Sequence, residues 1–323
     1  MSKTVLSRTL LLLGACVALV LPAQSGNADP NTQLLPDLRE APVGCVGGYG
    51  GNPMKCDDWD VCMVRDANDP NGDCVKSGAI AAVRIRFTTA VDNAGAGPLV
   101  VLGERPPGQS TMTVRQAFQE GVGGAIPQTY ANAQRATAMS MYYEPEKMHE
   151  HWHLLGFEHF QLMTLNGGVV VTDRKNGFCL GDRYKTADAG KLPNTPHGED
   201  DSDYSDAPQN TLAKFLQGTN CDHLQPQATD VTEGISVGRG DDYTYDVDFQ
   251  WLDLTSAPSG TYDIVNTVNA DHTILESDYT NDSSSIAIAI QWPDGASKAP
   301  AVITQAPTVT LLRSCPGSAV CLP

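Results

Sequence analysis

Apolar and polar residues alternate along several short stretches of the chain. Residues 79–87 read AIAAVRIRF, which puts Val83, Ile85 and Phe87 on one side of an extended strand and two arginines on the other. This two-residue period is typical of a β-strand with one buried face. Similar alternation or apolar runs occur at 98–102, 159–165, 168–172, 243–254, 261–268 and 285–292. The pattern predicts a mainly β protein, a β-sandwich-like single domain with long irregular loops and little helix.

Helical periodicity is weak along the whole chain. The best short helix prediction is TVRQAFQE at 113–120. Residues 188–210 contain Gly, Pro, Asn and acidic residues without an apolar face, which predicts an irregular loop. A Pro- and Ala-rich tail covers 293–323, so the predicted domain itself extends from 29 to 292.

The first 28 residues have the pattern of an export signal. A basic start precedes an apolar run at 10–21, and small residues surround a possible cleavage point after Ala28. The segment ending in Cys16 also resembles a bacterial lipoprotein cleavage box, but the apolar run continues past it, which favours free secretion. No later stretch approaches the roughly 20 apolar residues of a membrane-spanning helix. We predict a secreted or extracellular protein, with a lipid anchor at Cys16 as the alternative.

The chain is strongly acidic. It has 38 Asp and Glu against 21 Lys and Arg, a formal net charge of -17. Such a surface repels nucleic acid and attracts cations. The charge therefore disfavours a nucleic-acid partner and favours an amine or a metal ion.

Eight cysteines follow Cys16, at positions 45, 56, 62, 74, 179, 221, 315 and 321. An even number in an exported chain indicates disulfides, and there is no Cys-x-x-Cys pair to indicate a thiolate metal cluster. We predict four disulfides.

Four of the seven histidines lie in the segment MHEHWHLLGFEHF, at His149, His151, His153 and His159. On an extended strand, residues two apart share a face, so the first three imidazoles would point into one space. Neutral imidazole suits copper, zinc, iron and nickel, and copper is the tightest binder in the divalent series. The spacing does not choose copper over zinc. A polar strand face that hydrogen-bonds to loops is the alternative, but the scarcity of histidine elsewhere favours a metal site.

The histidine segment is similar to the copper motif of the lysyl oxidases, and further segments match that family in the same order. These are LPDL at 35–38, RKNGFCL at 174–180, GISVGRGDDYTYDVDFQWLDLT at 234–255, and GTYDIVNTVN followed by ESDYTND within 260–282. Together they cover most of residues 35–292. The chain therefore resembles a lysyl oxidase catalytic domain, and its signal suggests a bacterial-type secreted member.

The resemblance implies a copper amine oxidase that carries a lysine tyrosylquinone. It assigns copper to the three alternating histidines and the two halves of the quinone to Lys175 and Tyr243, with Tyr245 as the rival tyrosine. The family's activity converts primary amines, above all peptidyl lysine, with molecular oxygen to aldehyde, ammonia and hydrogen peroxide. His159 is a possible catalytic base, and a hydrogen-bonded structural role is the equal alternative.

The resemblance also implies a structural calcium ion near the ESDYTND segment. Oxygen-bearing side chains are dense there, as calcium requires. The implied ligands are Glu276, Asp278, Asn281 and Asp282, completed by Asp37. An acidic hairpin tip without an ion is the alternative.

The even cysteine count and the family spacing predict disulfides Cys179–Cys221 and Cys315–Cys321, with the four earlier cysteines pairing among themselves. The chain also departs from the family, because Arg239 and Phe249 stand at two of its cysteine positions. One family disulfide is therefore absent beside Tyr243. Two other readings stay open: a zinc-dependent enzyme that uses the same histidines, and a non-catalytic secreted metal-binding β-sandwich.

Overall fold

A computed structural model describes residues 33–147, 149–173, 177–197, 206–247 and 250–321. The predicted signal at 1–28 with Cys16, and also Lys175 and Phe249, lie outside the described residues. Within the described ranges, no helix is long and apolar enough to cross a membrane.

The described chain is mainly β, which confirms the predicted fold class. The strands are β1 (Gln33–Leu34), β2 (Leu38–Glu40), β3 (Trp59–Val64), β4 (Ala82–Phe87), β5 (Thr89–Asn93), β6 (Leu99–Glu104), β7 (Thr111–Ala117), β8 (Gln119–Glu120), β9 (Arg135–Glu144), β10 (His151–Leu154), β11 (Glu158–Thr164), β12 (Val169–Asp173), β13 (Tyr184–Lys185), β14 (Asp230–Ile235), β15 (Arg239–Tyr243), β16 (Trp251–Asp253), β17 (Gly260–Val268), β18 (Ser283–Gln291) and β19 (Thr308–Cys315). An α-helix, α1, covers Pro208–Gly218, and short 3-10 turns occur at Pro53–Lys55, Tyr130–Asn132, Ala189–Lys191 and Pro293–Gly295.

The strands pair antiparallel in several sheets. Their orders are β1-β8, β10-β9-β7-β6-β14, β12-β11-β17-β18-β19, β13-β15-β5-β2 and β16-β4-β3. Antiparallel sheets can bury one face and leave the other to solvent, which is why alternation is visible in the sequence. The β10 sheet and the β15 sheet carry the residues of the functional site.

Two main hydrophobic cores lie between the sheets. One packs behind β10 and includes Trp152, Leu154 and Phe178. The other includes Phe87 from β4 and Phe160 from β11, whose rings meet edge to face at 5.1 Å between centroids. Both faces of β4 are covered, because even its arginine at position 84 is only 2% exposed.

The helix predicted at 113–120 is wrong. These residues form β7 and β8. Met112 and Val114 on β7 are buried whereas Thr111 and Thr113 are exposed, a two-residue period that the short helical window obscured. The end of the predicted 188–210 loop is also wrong, because helix α1 begins there at Pro208. The helix buries Leu212 and Leu216 in its later turns.

The four predicted disulfides are confirmed. They join Cys45 to Cys56, Cys62 to Cys74, Cys179 to Cys221 and Cys315 to Cys321. The last one follows β19, which pairs with β18 at the edge of the five-stranded sheet. Residues 308–315 of the Pro- and Ala-rich segment are therefore part of the sheet.

Candidate active site

Strand β10 and the turn before it carry the three alternating histidines. His151 and His153 lie on β10, as predicted, but His149 lies before the strand. Glu150 between them has a φ of +47°, which bends the backbone away from an extended course. His149 therefore joins the other two imidazoles from a backbone that is not an extended strand.

The imidazole nitrogens of this group converge on one point. His153 Nε2 lies 2.8 Å from His151 Nε2 and 3.3 Å from His149 Nδ1, and one nitrogen from each ring lies within 4.8 Å of the others. Two nitrogens that bind the same ion at about 2.0 Å lie roughly 2.8 to 3.3 Å apart when the bond angle is between the square and the tetrahedral value. The three side chains therefore fit a single metal ion, and their nitrogen donors suit copper as well as zinc.

Tyr142 and Glu144 on β9 support the histidines from behind. The Tyr142 ring meets the His153 ring at 5.7 Å between centroids, and its hydroxyl donates a hydrogen bond to Glu144. Burial, followed by the bond to Glu144, raises the pKa of Tyr142. The tyrosine therefore stays neutral and holds the orientation of the neighbouring imidazole.

Two segments joined by a disulfide cover the other edge of β10. The Trp152 amide donates to the Cys221 carbonyl at 2.9 Å, and the Leu154 amide donates to the Phe178 carbonyl at 2.7 Å. Cys179, next to Phe178, is bonded to Cys221. The disulfide thus ties both flanking segments to each other beside the histidines.

Gly177 begins the described part of one of these segments. Its φ is +105°, and a Cβ built on it would lie 2.5 Å from the Cβ of His153. Glycine is therefore required for the close approach of this backbone to the histidine strand. Lys175 precedes it by two residues and lies outside the described residues.

Tyr243 ends β15 and shares a cavity of about 560 Å³ with the three histidines. Its hydroxyl lies 2.8 Å from the Cys179 carbonyl and 3.0 Å from Asp241 Oδ2. Tyr245 is not among the described residues that line this cavity, and its ring lies 5.8 Å from the guanidinium of Arg86. The geometry therefore distinguishes the two rival tyrosines.

Charged groups surround the Tyr243 hydroxyl. Burial, followed by the nearby Asp241 carboxylate, raises the pKa of Tyr243 well above its usual range. The guanidinium of Arg183 acts in the opposite direction. Tyr243 is consequently a neutral phenol in this arrangement.

Gln250 fixes the backbone that follows Tyr243, where the family disulfide is absent. Its amide nitrogen donates to the carbonyls of Tyr243, at 3.0 Å, and of Phe87. Its amide oxygen accepts from the hydroxyl of Thr89 at 3.2 Å. Arg239, which stands at one of the family's cysteine positions, is only 1% exposed. A buried polar clamp therefore stabilises the end of β15.

His159 lies on β11, in another sheet. Its Nε2 is 2.6 Å from Thr172 Oγ1 on β12. His159 is not among the described residues that line the cavity. Its catalytic role stays a prediction, and the contact with Thr172 agrees with the structural alternative.

The predicted calcium ligands gather where β2 meets the β17–β18 hairpin. The Leu38 amide donates to Glu276 Oε2 at 2.8 Å, and Asn281 Nδ2 donates to Asp37 Oδ1 at 2.8 Å. Asp278 accepts from the amide and the hydroxyl of Thr280. The hydrogen bonds therefore bring the two distant chain segments to one corner, which we call the carboxylate corner: Asp37, Glu276, Asp278, Asn281 and Asp282.

Asp282 is the feature of this corner that best fits a cation. It is 3% exposed, and both of its carboxylate oxygens are buried without a hydrogen bond, as is Oδ1 of Asn281. Burial, followed by the carboxylate of Glu276, raises the pKa of Asp282 to about 8. Burial likewise raises the pKa of Glu276 to about 7. Oxygen atoms without donors beside other carboxylates match the needs of a hard cation such as calcium.

Sequence reasoning missed several residues around Tyr243. Asp241 could have been found, because residues two apart on a strand share a face and it lies two positions before the tyrosine. Gly177 and Gln250 lie within the motifs quoted above, but a glycine and a glutamine do not by themselves indicate a catalytic or metal-binding role. No motif around Arg183 indicates a role at the site, because only the fold brings this residue to β15.

The comparisons with known proteins agree with the motifs. The family model described as Lysyl oxidase matches residues 213–294. The chain is 31% identical over 134 residues to lysyl oxidase homolog 2 of Gallus gallus and 32% identical over 134 residues to that of Xenopus laevis. It is 30% identical over 134 residues to lysyl oxidase homolog 4 of Homo sapiens.

These matches cover 41% of this chain and 13% to 14% of the relatives' own lengths. The chain thus matches only a small part of each relative. Over that part, the recognition of the lysyl oxidase family from sequence motifs is confirmed.

Proposed function

We propose that this protein is a secreted copper- and quinone-dependent amine oxidase. It would oxidise primary amines, with peptidyl lysine as the leading substrate class, and release aldehyde, ammonia and hydrogen peroxide. The observation that carries the proposal is the meeting of the His149, His151 and His153 nitrogens with the Tyr243 side chain in one cavity.

The proposal gives each group a role. The three histidines hold copper, and Lys175 and Tyr243 form the lysine tyrosylquinone. Bound copper supplies oxidation of the tyrosine, and the quinone supplies an electron sink for amine oxidation by molecular oxygen.

The surrounding residues orient these groups. Tyr142 holds the His153 ring, and the Cys179 carbonyl and Asp241 hold the Tyr243 hydroxyl. Gly177 lets the segment after Lys175 approach the histidines. The acidic chain favours the approach of a cationic amine, since opposite charge raises the local substrate concentration.

The carboxylate corner is proposed as a structural calcium site. The unpaired oxygens of Asp282 support this part of the proposal, because a buried carboxylate is stable only with a partner. The four disulfides support an oxidising, extracellular location.

The test is made on purified full-length protein. It is loaded with copper under air and treated with phenylhydrazine, which forms a coloured product with a quinone. Peptide mapping after reduction then looks for a bond between Lys175 and Tyr243. We expect visible absorbance, the joined peptides and peroxide formation from primary amines.

Three variants make the test specific. Lys175→Arg keeps the positive charge but presents a poor nucleophile, so it should bind copper and lack the bond. Tyr243→Phe should fail in the same way, whereas Tyr245→Phe should react as the wild type does. Zinc retention without a quinone would support the zinc enzyme, and copper binding without a quinone or amine oxidation would support a non-catalytic metal-binding protein.

A further inference from the structure

The Tyr243 hydroxyl belongs to a set of four groups that contact one another. It contacts Asp241 Oδ2 at 3.0 Å and the Cys179 carbonyl at 2.8 Å. Arg183 Nε lies 3.4 Å from Asp241 Oδ1, and Arg183 Nη2 donates to the same Cys179 carbonyl at 3.2 Å. The phenol oxygen, the carboxylate, the guanidinium and the carbonyl thus constrain one another.

Burial makes this arrangement energetically important. The Asp241 side chain is 1% exposed and that of Arg183 is 30% exposed. A carboxylate removed from water needs a cation and hydrogen-bond donors, and removing one partner leaves an uncompensated charge. Arg183 also lines the cavity, so it connects the buried carboxylate to the space that holds the histidines.

A second acid, Glu233, acts electrostatically on the tyrosine. Glu233 on β14 is fully buried, and its Oε2 accepts from the Leu180 amide at 3.0 Å. Burial raises the pKa of Glu233 well above its usual range. Burial thus favours the neutral form of this carboxyl, and the contacts at the Tyr243 hydroxyl itself come from Asp241 and the Cys179 carbonyl.

We propose that Asp241 is a positioning residue for Tyr243 and that Arg183 holds Asp241 in place. The carboxylate fixes the direction of the phenol oxygen, and with it the ring edge that faces the cavity. The consequence for cofactor formation rests on the proposed function, because only there is Tyr243 the tyrosine that reacts. Small errors in the placement of reacting groups have large effects, about 100-fold in rate for 1 Å.

The neighbouring Asp242 provides a matched control. It lies on the same strand, one residue away, opposite Ala90, so its side chain points to the other face of the sheet. It is half-buried, and burial raises its pKa. Asp242 also interacts electrostatically with Arg183, so charge removal there alters β15 and the field at Arg183 while it removes no contact of the Tyr243 hydroxyl.

The first experiment needs neither copper nor catalysis. Full-length protein with Tyr245→Phe is treated with N-acetylimidazole, and acetylation of Tyr243 is followed by mass spectrometry. Asp241→Leu should raise the rate about tenfold, since a hydrogen bond to a charged group contributes about 1.5 kcal/mol or more. Asp241→Asn, which keeps an acceptor oxygen, should restore much of the protection. Asp242→Asn should match the parent protein.

The second experiment follows the bond between Lys175 and Tyr243 after aerobic copper loading. Asp241→Leu should lower its initial rate of formation about 100-fold. Asp241→Asn and Arg183→Lys should lie between this variant and the wild type, with copper stoichiometry unchanged. A purely structural role would instead lower the melting temperature of the Asn and Leu variants equally, without rescue by Asn.

The outcomes separate the two proposals. A folded Asp241→Leu protein whose Tyr243 is acetylated at the parent rate would overturn the positioning role. Absence of the Lys175–Tyr243 bond in the wild type would overturn the oxidase, while the acetylation rates would still decide the role of Asp241. If Asp241→Leu does not fold, the comparison of Arg183→Gln with Arg183→Lys gives the same readout.

Discussion

The histidine cavity and the carboxylate corner both gather side chains of the kind that bind metal ions, but they do so differently. In the cavity, nitrogens of His149, His151 and His153 lie within 4.8 Å of one another beside about 560 Å³ of open space. In the corner, Asp282 is buried, and Glu276 is held by the backbone of β2. One group faces a space that a substrate can enter, and the other joins two parts of the fold.

This difference connects ligand chemistry with role. An ion with open positions can exchange small molecules, which a catalytic centre requires. An ion enclosed by oxygen ligands from two chain segments contributes binding energy to the folded state instead. We therefore expect loss of a histidine ligand to alter chemistry with little effect on stability, and loss of a ligand in the corner to do the reverse.

The largest expected effect is the loss of copper in His151→Ala. Removing one of three nitrogen ligands should lower copper affinity by more than about 100-fold, beyond the range caused by losing supporting residues. The partly exposed position of His151 should keep the melting temperature close to that of the wild type. Metal analysis and a thermal scan of the metal-free proteins measure the two effects. Full copper retention would contradict the metal site.

The reciprocal change is Asp282→Asn in the carboxylate corner. Calcium at about 100 times its dissociation constant should stabilise the wild type by about 2.7 kcal/mol, and this variant should lose most of that gain. Copper stoichiometry should not change. Chemical denaturation with and without calcium measures the effect, with magnesium as the control ion. If the wild type is equally stable with and without calcium, the carboxylate corner is not a calcium site.

Gly177→Ala tests how the cavity wall is built. The new Cβ would meet His153 at 2.5 Å, at a φ that side chains rarely adopt, so the cost should be about 2 kcal/mol. The strain falls on the histidine strand, and copper affinity should therefore fall together with stability. Gly167→Ala, at a φ of +76° with nothing within 4 Å, controls for backbone strain alone. Equal copper affinity in both variants would mean that the close approach is unimportant.

The smallest effect is expected for His159→Gln. Its contact with Thr172 lies outside the cavity, and loss of one hydrogen bond should cost about 1 kcal/mol. Peroxide formation should change less than tenfold. A loss of 100-fold or more at unchanged stability would instead identify His159 as the catalytic base.

Local patterns in the sequence were sufficient for much of the fold. Strands such as β4, β17 and β18 were predictable because their apolar residues alternate with polar ones or form short runs, and most of these residues are buried. The segment 113–120 was misread because eight residues are too few to distinguish a helical period from that of a strand with an irregular register between Thr113 and Arg115. Predicting α1 was difficult because its polar residues outnumber its buried ones.

The site was predictable only where the chemistry lies in consecutive residues. The histidines and Tyr243 came from motifs, but the bend at Glu150 depends on a single left-handed residue. Arg183 reaches Asp241 through the pairing of β13 with β15, which no local pattern encodes. Contacts of this kind arise from topology, so the sequence could indicate the reacting groups but not the residues that orient them.

The disulfide between Cys179 and Cys221 has a consequence for when the protein becomes active. The two cysteines are 42 residues apart, and their bond joins both segments that border β10. Before oxidation, this covalent link between the two segments is missing. We therefore expect biosynthesis to complete the cavity only after the chain has left a reducing compartment. The proposed oxidase centre would then first mature outside that compartment, where peroxide would be released away from the cell's own contents.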